Sequence, residues 1–184
     1  FLFPTLPEQQ KIVSILSNVD NLIDSYDKTI ESTKKLKKGL MQTLLTRGIG
    51  HKEFKKISLE PKFVNTKIPK KWDLLELKNL LQQKISYGII LHTEVKNGFP
   101  MIISGNIDEP NGIKKNLKFV DPEIEKKYTK TRLQGGEVVM ALVGATVGKV
   151  AIIPSWCKGY NVSRHLAVMR FKKQYFPNYF AYLL

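Results

Sequence analysis

A seven-residue apolar repeat runs through the first quarter of the chain and leaves little freedom in how that part can fold. Ile12, Val19, Tyr26, Thr33 and Leu40 share one heptad position, and Leu16, Ile23, Ile30, Lys37 and Leu44 interleave with them. Eight of these ten are apolar with Tyr counted, which marks an a/d seam rather than a broad amphipathic stripe. Thr5 and Glu8 stand in the relation of a capping box, and Pro7 falls in the first turn, where its missing N–H costs nothing. No Pro or Gly follows until Gly39, and Gly48 and Gly50 supply the stop signals. A helix of roughly 40 residues would be about 60 Å long, more than a small domain can cover. Ile12, Leu16, Val19, Ile23, Tyr26, Ile30, Leu40 and Leu44 therefore call for a second long helix as partner.

Charge narrows the class of partner. Against 16 Asp+Glu the chain carries 30 Lys+Arg, a formal charge of +14, which favours nucleic acid or an anionic membrane surface. Residues 7–47 hold seven basic and five acidic side chains, so almost all of the excess lies downstream. No apolar run reaches the length of about 18 residues that a membrane span needs, and no signal-peptide pattern opens the chain. A single Cys157 excludes an internal disulfide and fits a reducing cytoplasm. Without an initiator Met, and with an aromatic-rich stretch at 175–184, the chain reads as a fragment of something longer.

Beyond residue 50 the texture changes. Residues 51–71, rich in Lys and Pro, read as a linker between the helix (1–50) and a domain at 72–184. In that domain short Val-, Ile- and aromatic-rich runs at 85–91, 99–104, 117–120, 137–143, 149–154 and 165–171 alternate with Gly, Asn and Pro, and predict strands. Short helices are expected within 74–81 and 175–184. The fold class is α+β: one long coiled-coil-type helix followed by a mostly β domain.

The sequence offers little for catalysis. Gly144-Ala-Thr-Val-Gly148-Lys149 is one residue short of a phosphate loop, and Val150 stands where a magnesium-binding hydroxyl belongs. It lies between two predicted strands and reads as a tight hairpin turn. His51, His92 and His165 are scattered, and one Cys cannot complete a zinc site. Ser163 and His165 are too close in sequence to form a nucleophile and base by themselves, and no glycine elbow frames the serine. Neither a glycine-rich cofactor loop nor the Asn/Asp-Pro-Pro-aromatic tetrapeptide of amino-methyltransferases occurs.

Recognition is what remains. Lys114, Lys115, Lys126, Lys127, Lys130, Arg132, Lys149, Lys158 and Arg164 cluster in the predicted loops, interspersed with Asn106, Asn111, Asn116, Gln134, Thr146, Asn161 and His165. Cations there supply salt-dependent affinity for phosphates, while amides and Arg can read base edges. The DNA-binding candidates are Asn106, Lys114, Lys115, Lys130, Arg132, Thr146, Lys149, Arg164 and His165. The competing reading is that the glycines only close a hairpin and that Arg164 pairs with a carboxylate such as Glu137.

These residues also carry a resemblance. Pro4-Thr-Leu-Pro-Glu-Gln-Gln10 with Ile12, Leu16 and the 20–23 stretch, and the ending Leu36-Lys-Lys-Gly-Leu-Met-Gln-Thr-Leu-Leu-Thr-Arg-Gly48, resemble the central helix of type I restriction-modification specificity subunits. The second half resembles the target recognition domain that follows it, through Ile68-Pro-Lys-Lys-Trp72, Pro100-Met-Ile-Ile-Ser-Gly-Asn-Ile107, Leu133-Gln-Gly-Gly-Glu-Val-Val139, residues 144–151 and Ser163-Arg-His165. The resemblance implies a non-catalytic subunit, truncated within its second target recognition domain. Each such domain reads half of a split DNA sequence, and paired antiparallel helices set the spacing. Methyltransferase (modification) subunits would supply S-adenosylmethionine chemistry, and a motor-nuclease (restriction) subunit would use ATP and Mg, so no cofactor is expected in this chain. The competing class is a coiled-coil scaffold whose basic β domain binds a protein or a membrane surface.

Overall fold

A computed structural model describes residues 3–59, 64–90, 94–108 and 112–184. His92 and Asn111, both named above, lie outside the described residues. The chain divides into two compact units, Phe1–Trp72 and Asp73–Leu184.

The first unit is dominated by helix α1, Leu6–Arg47, whose 42 residues include none that is buried. Thr5 is the N-cap residue, but its side chain makes no capping hydrogen bond, so the expected capping box does not form. Gln9 Nε2 instead donates to the Pro4 carbonyl, 2.8 Å away. At the other end Gly48 adopts φ +65° and donates its N–H to the Leu44 carbonyl at 3.1 Å. A side chain there would collide with the Trp72 and His51 rings, so glycine is required twice over. The linker expected over 51–71 is a correction: it holds an antiparallel hairpin, β1 (Phe54–Leu59) paired with β2 (Val64–Pro69). Ile68 is buried and Lys55 and Ile57 are half-buried on the same face of the ribbon, so the hairpin has an inner face. Every seam residue of α1 stays exposed, Ile12 at 44% and Tyr26 at 62% among them.

The second unit is built on two sheets, and all six predicted runs contain a strand. After α2 (Leu77–Leu80) come β3 (Ser86–Tyr87), β4 (Glu94–Ile102), β5 (Ile107–Asp108), β6 (Gly112–Ile113) and β7 (Lys118–Val120). The short helix α3 (Pro122–Glu125) precedes β8 (Val138–Ala141), β9 (Val150–Ile152), β10 (Asn161–Val162), β11 (Leu166–Met169) and α4 (Pro177–Leu183). One sheet has the order β3-β11-β8-β9 and another β10-β4-β7, while β5 and β6 pair with each other.

The four-stranded sheet is covered on both faces, which explains why its strands read as continuous apolar runs. Val139, Ala141, Ala151, Leu166 and Val168 face a core shared with Ile102, Ile107, Ile113 and Val162. Their strand neighbours Val138, Val150 and Met169 pack with Leu80, Leu81, Phe171 and Phe180 on the other side. This is the period-two division that a pleated strand imposes. The Phe171 and Phe180 rings stack at 4.1 Å and hold α4 to the sheet.

Candidate nucleic-acid interface

The eight residues 142–149 join β8 to β9 as the hairpin turn that the glycines predict. Gly144 and Gly148 adopt φ +88° and +84°, a region that Val or Thr cannot enter cheaply. The turn is held by its own backbone: Gly148 N–H donates to the Ala141 carbonyl at 2.9 Å, and Lys149 N–H to the Thr146 carbonyl at 3.0 Å. Because main-chain bonds fix the loop, Val143 and Val147 can project outward, and both are exposed.

A second segment meets this turn. β10 belongs to the three-stranded sheet and β11 to the four-stranded one, so residues 163–165 cross from one sheet to the other. Three backbone bonds fasten the crossing: Ser163 N–H to the Ile102 carbonyl, Arg164 N–H to that of Ile89, and Leu142 N–H to that of His165, each 2.9 Å. The last of these ties the crossing to the turn. Gly88 permits the approach from β3, since a Cβ there would lie 1.9 Å from the Val162 carbonyl oxygen. Turn, crossing and the Ile89–Ile90 stretch thus converge on one end of the sheet. Arg164 is exposed there, its Nε 3.3 Å from His165 Nε2, while Lys149 and His165 are half-buried. Neither 142–149 nor 163–165 contains an acidic residue, so the local field is cationic.

Not every predicted contact residue is available. Asn106 is buried; its amide donates to Asn116 O and Oδ1 at 3.0 and 3.1 Å and accepts from Ile103 N–H at 2.8 Å, so it closes a turn rather than facing a ligand. Arg132 forms a bidentate pair with buried Glu125, Nε–Oε1 2.7 Å and Nη2–Oε2 2.5 Å, and its guanidinium lies 5.2 Å over the Phe99 ring. Those bonds, with the Asn161 amide, hold the Glu125 carboxyl below its usual range although burial pushes it up. Thr146 Oγ1 is enclosed without a hydrogen-bond partner, as is Ser163 Oγ, so neither hydroxyl is presented to solvent. Ser163 and His165 form no nucleophile–base pair. Lys114, Lys115 and Lys130 are exposed, away from the turn in sequence. Lys115 shares a hollow with Pro100, Phe119, Trp156 and Tyr160.

The competing partner for Arg164 is also settled. Glu137 accepts from the N–H groups of Gln134 and Gly135 at 2.6 and 2.8 Å and from Arg170 Nε at 3.3 Å, and Arg164 takes no part. Sequence reasoning missed Arg170, although an arginine inside the apolar run 165–171 was a usable signal. Tyr87 and Ile90, exposed beside the crossing, carried no such signal.

Comparison with known proteins adds an independent line. No family model matches the chain. It is 31% identical over 146 residues to the type I restriction enzyme MjaVIII specificity subunit of Methanocaldococcus jannaschii, covering 79% of this chain and 33% of that protein. A second relative from the same organism is 34% identical over 192 residues, 97% of this chain and 39% of its own length. The EcoBI specificity subunit of Escherichia coli is 25% identical over 185 residues, 94% and 37% of the respective chains. The chain thus spans between a third and two-fifths of the curated relatives it matches. Among solved structures its backbone matches the HsdS subunit of Thermoanaerobacter tengcongensis with a TM-score of 0.51 at 15% identity, covering 98% of this chain and 41% of that one. A chain from a study of assembly and conformational transition in the type I R-M system matches at 0.52 and 17%, with the same coverage. At such identities the structures speak for the fold alone: a long helix followed by a mostly β unit.

Proposed function

We propose, the chain being a homologue of a segment of type I restriction specificity subunits, that its β unit reads one half of a bipartite duplex DNA target. The observation that carries this reading is the convergence of residues 142–149 with 163–165 on one sheet end, where Arg164 stands exposed with no carboxylate partner among the described residues. A guanidinium on a backbone-fixed segment suits bidentate contact with guanine, and Lys149 suits a phosphate. Asn106, Arg132 and Thr146 contribute by shaping the frame.

Helix α1 offers its apolar seam to a second helix of the same kind and a docking surface to methyltransferase subunits. S-adenosylmethionine, ATP and Mg then belong to the modification and motor-nuclease partners, and this chain recognises without catalysing, in the cytoplasm. Among the described residues no helix is long and apolar enough to cross a membrane, and no three His, Cys, Asp or Glu gather as a metal site. The test is co-expression with a methyltransferase subunit, followed by co-purification and sequencing of methylated sites. A defined methylated motif supports the reading. Stable association that leaves the DNA unmethylated would move the chain to the scaffold class.

A further inference from the structure

The first unit is electrically lopsided. Residues 3–33 carry two lysines and five acids, whereas residues 34–71 carry twelve Lys and Arg against only Glu53 and Glu60. Seven of those twelve fall within residues 52–71, the hairpin and its flanks. In its register Lys56 is directly opposite Lys67, and both are exposed. Directly opposed side chains on a two-stranded ribbon lie about 5 Å apart, and like charges in that position repel. A lone hairpin is already marginal, so the pair works against the element that carries it. Glu53 does not relieve it, because that carboxylate pairs with Lys70 Nζ at 3.2 Å. Among the described residues Lys52, Lys56, Lys67 and Lys71 have no carboxylate within ion-pair distance.

We infer that this hairpin is a second DNA-contacting element, one that grips the phosphate backbone through Lys56 and Lys67, supported by Lys52 and Lys71, without reading sequence. A continuous row of phosphates matches a ribbon whose lysines run along it, and the major groove of B-DNA is wide enough to admit two strands. An anionic membrane fits less well: Phe54 is the one large apolar side chain exposed on the described part of the ribbon, and interfacial binding needs a wider apolar face. The inference rests on the DNA reading above and adds a contact outside the β unit that carries the candidate interface.

The experiment uses the full chain and fluorescence anisotropy on duplexes of unrelated sequence over a range of salt. Lys56→Gln with Lys67→Gln should weaken binding to every duplex alike and make the log–log salt slope shallower by about 2. The same variant should melt no lower than the parent, because a repelling pair has been removed; this shows that the loss is not unfolding. If the parent chain binds duplex and the variant keeps its slope, the hairpin inference falls while the DNA reading stands. If the parent chain does not bind duplex at all, both fall. If the variant loses affinity for phosphatidylserine vesicles while duplex binding is unchanged, the basic face serves a membrane and the inference is overturned.

Discussion

Replacing Arg170 by Met should unfold the β unit far more easily, and the structure gives the size of the effect. Arg170 and Glu137 are both buried, and the guanidinium serves three acceptors: Glu137 Oε1 at 3.3 Å, the Lys130 carbonyl at 3.0 Å and the Arg132 carbonyl at 2.7 Å. Met fills similar volume but leaves a buried carboxylate with only the Gln134 and Gly135 N–H groups. Removing one partner of a buried pair costs about 3–5 kcal/mol, and two carbonyls lose their donor as well. At about 4 °C per kcal/mol for a unit of this size, the melting temperature should drop by about 12–20 °C. Thermal unfolding followed by near-ultraviolet circular dichroism measures this directly. Adding Glu137→Gln to the variant should recover part of the loss, since no unpaired charge then remains inside. A loss below about 1 kcal/mol, or a double variant as unstable as the sum of its singles, would refute the claim that the two residues act as one buried pair.

Arg164→Ala should leave the melting temperature unchanged, because the side chain is exposed, yet relax base choice at one position of the methylated motif by about 1–3 kcal/mol; an unchanged motif would make the residue irrelevant to readout. Ile23→Asp with Ile30→Asp should convert a self-associated or helix-paired chain to monomer in sedimentation while the β unit melts as before. Glu125, held low chiefly by Arg132, gives stability that is present above the unfolded carboxylate pKa and lost as pH falls through the lower folded value; Arg132→Gln should therefore shift acid unfolding to higher pH. Burial first, and the Glu137 charge second, push the Cys157 thiol up to about 11, so a thiol reagent at pH 8 should leave it unmodified until the unit unfolds.

Much of the fold was legible because its signals are local. The seam of α1 recurs every seven residues, β-branched runs beside glycines mark β8 and β9, and the apolar run 165–171 marks β11. The turn at 142–149 was legible too, since Gly144 and Gly148 are needed for its backbone and no helix pattern follows. The hairpin at 54–69 was not, because Lys55, Lys56, Lys67 and Lys70 mask the alternation that Ile57 and Ile68 would otherwise show. Site residues were harder still, since burial decides their role and composition does not report it. Arg132, Arg164 and Arg170 are chemically identical: the first closes on Glu125, the last is sealed against Glu137, and only Arg164 is left facing out. Asn106 looked like a base reader and proved to be the clasp of a turn for the same reason.

The way residues 142–149 and 163–165 are held has a consequence for how such a surface could change its target. Each segment is fixed by main-chain hydrogen bonds to Ala141, Ile89, Ile102 and His165, and by the φ values of Gly144 and Gly148. None of those bonds depends on the side chains of Val143, Val147 or Arg164. Substitution at these three positions should therefore alter what the surface contacts at little cost in stability, whereas Gly88, Glu137 and Arg170 tolerate almost nothing. Under the proposed function, the parts that choose bases and the parts that keep the unit folded occupy different atoms of the same short segments. A new specificity would then need only a few outward side chains to change, on a frame left as it is.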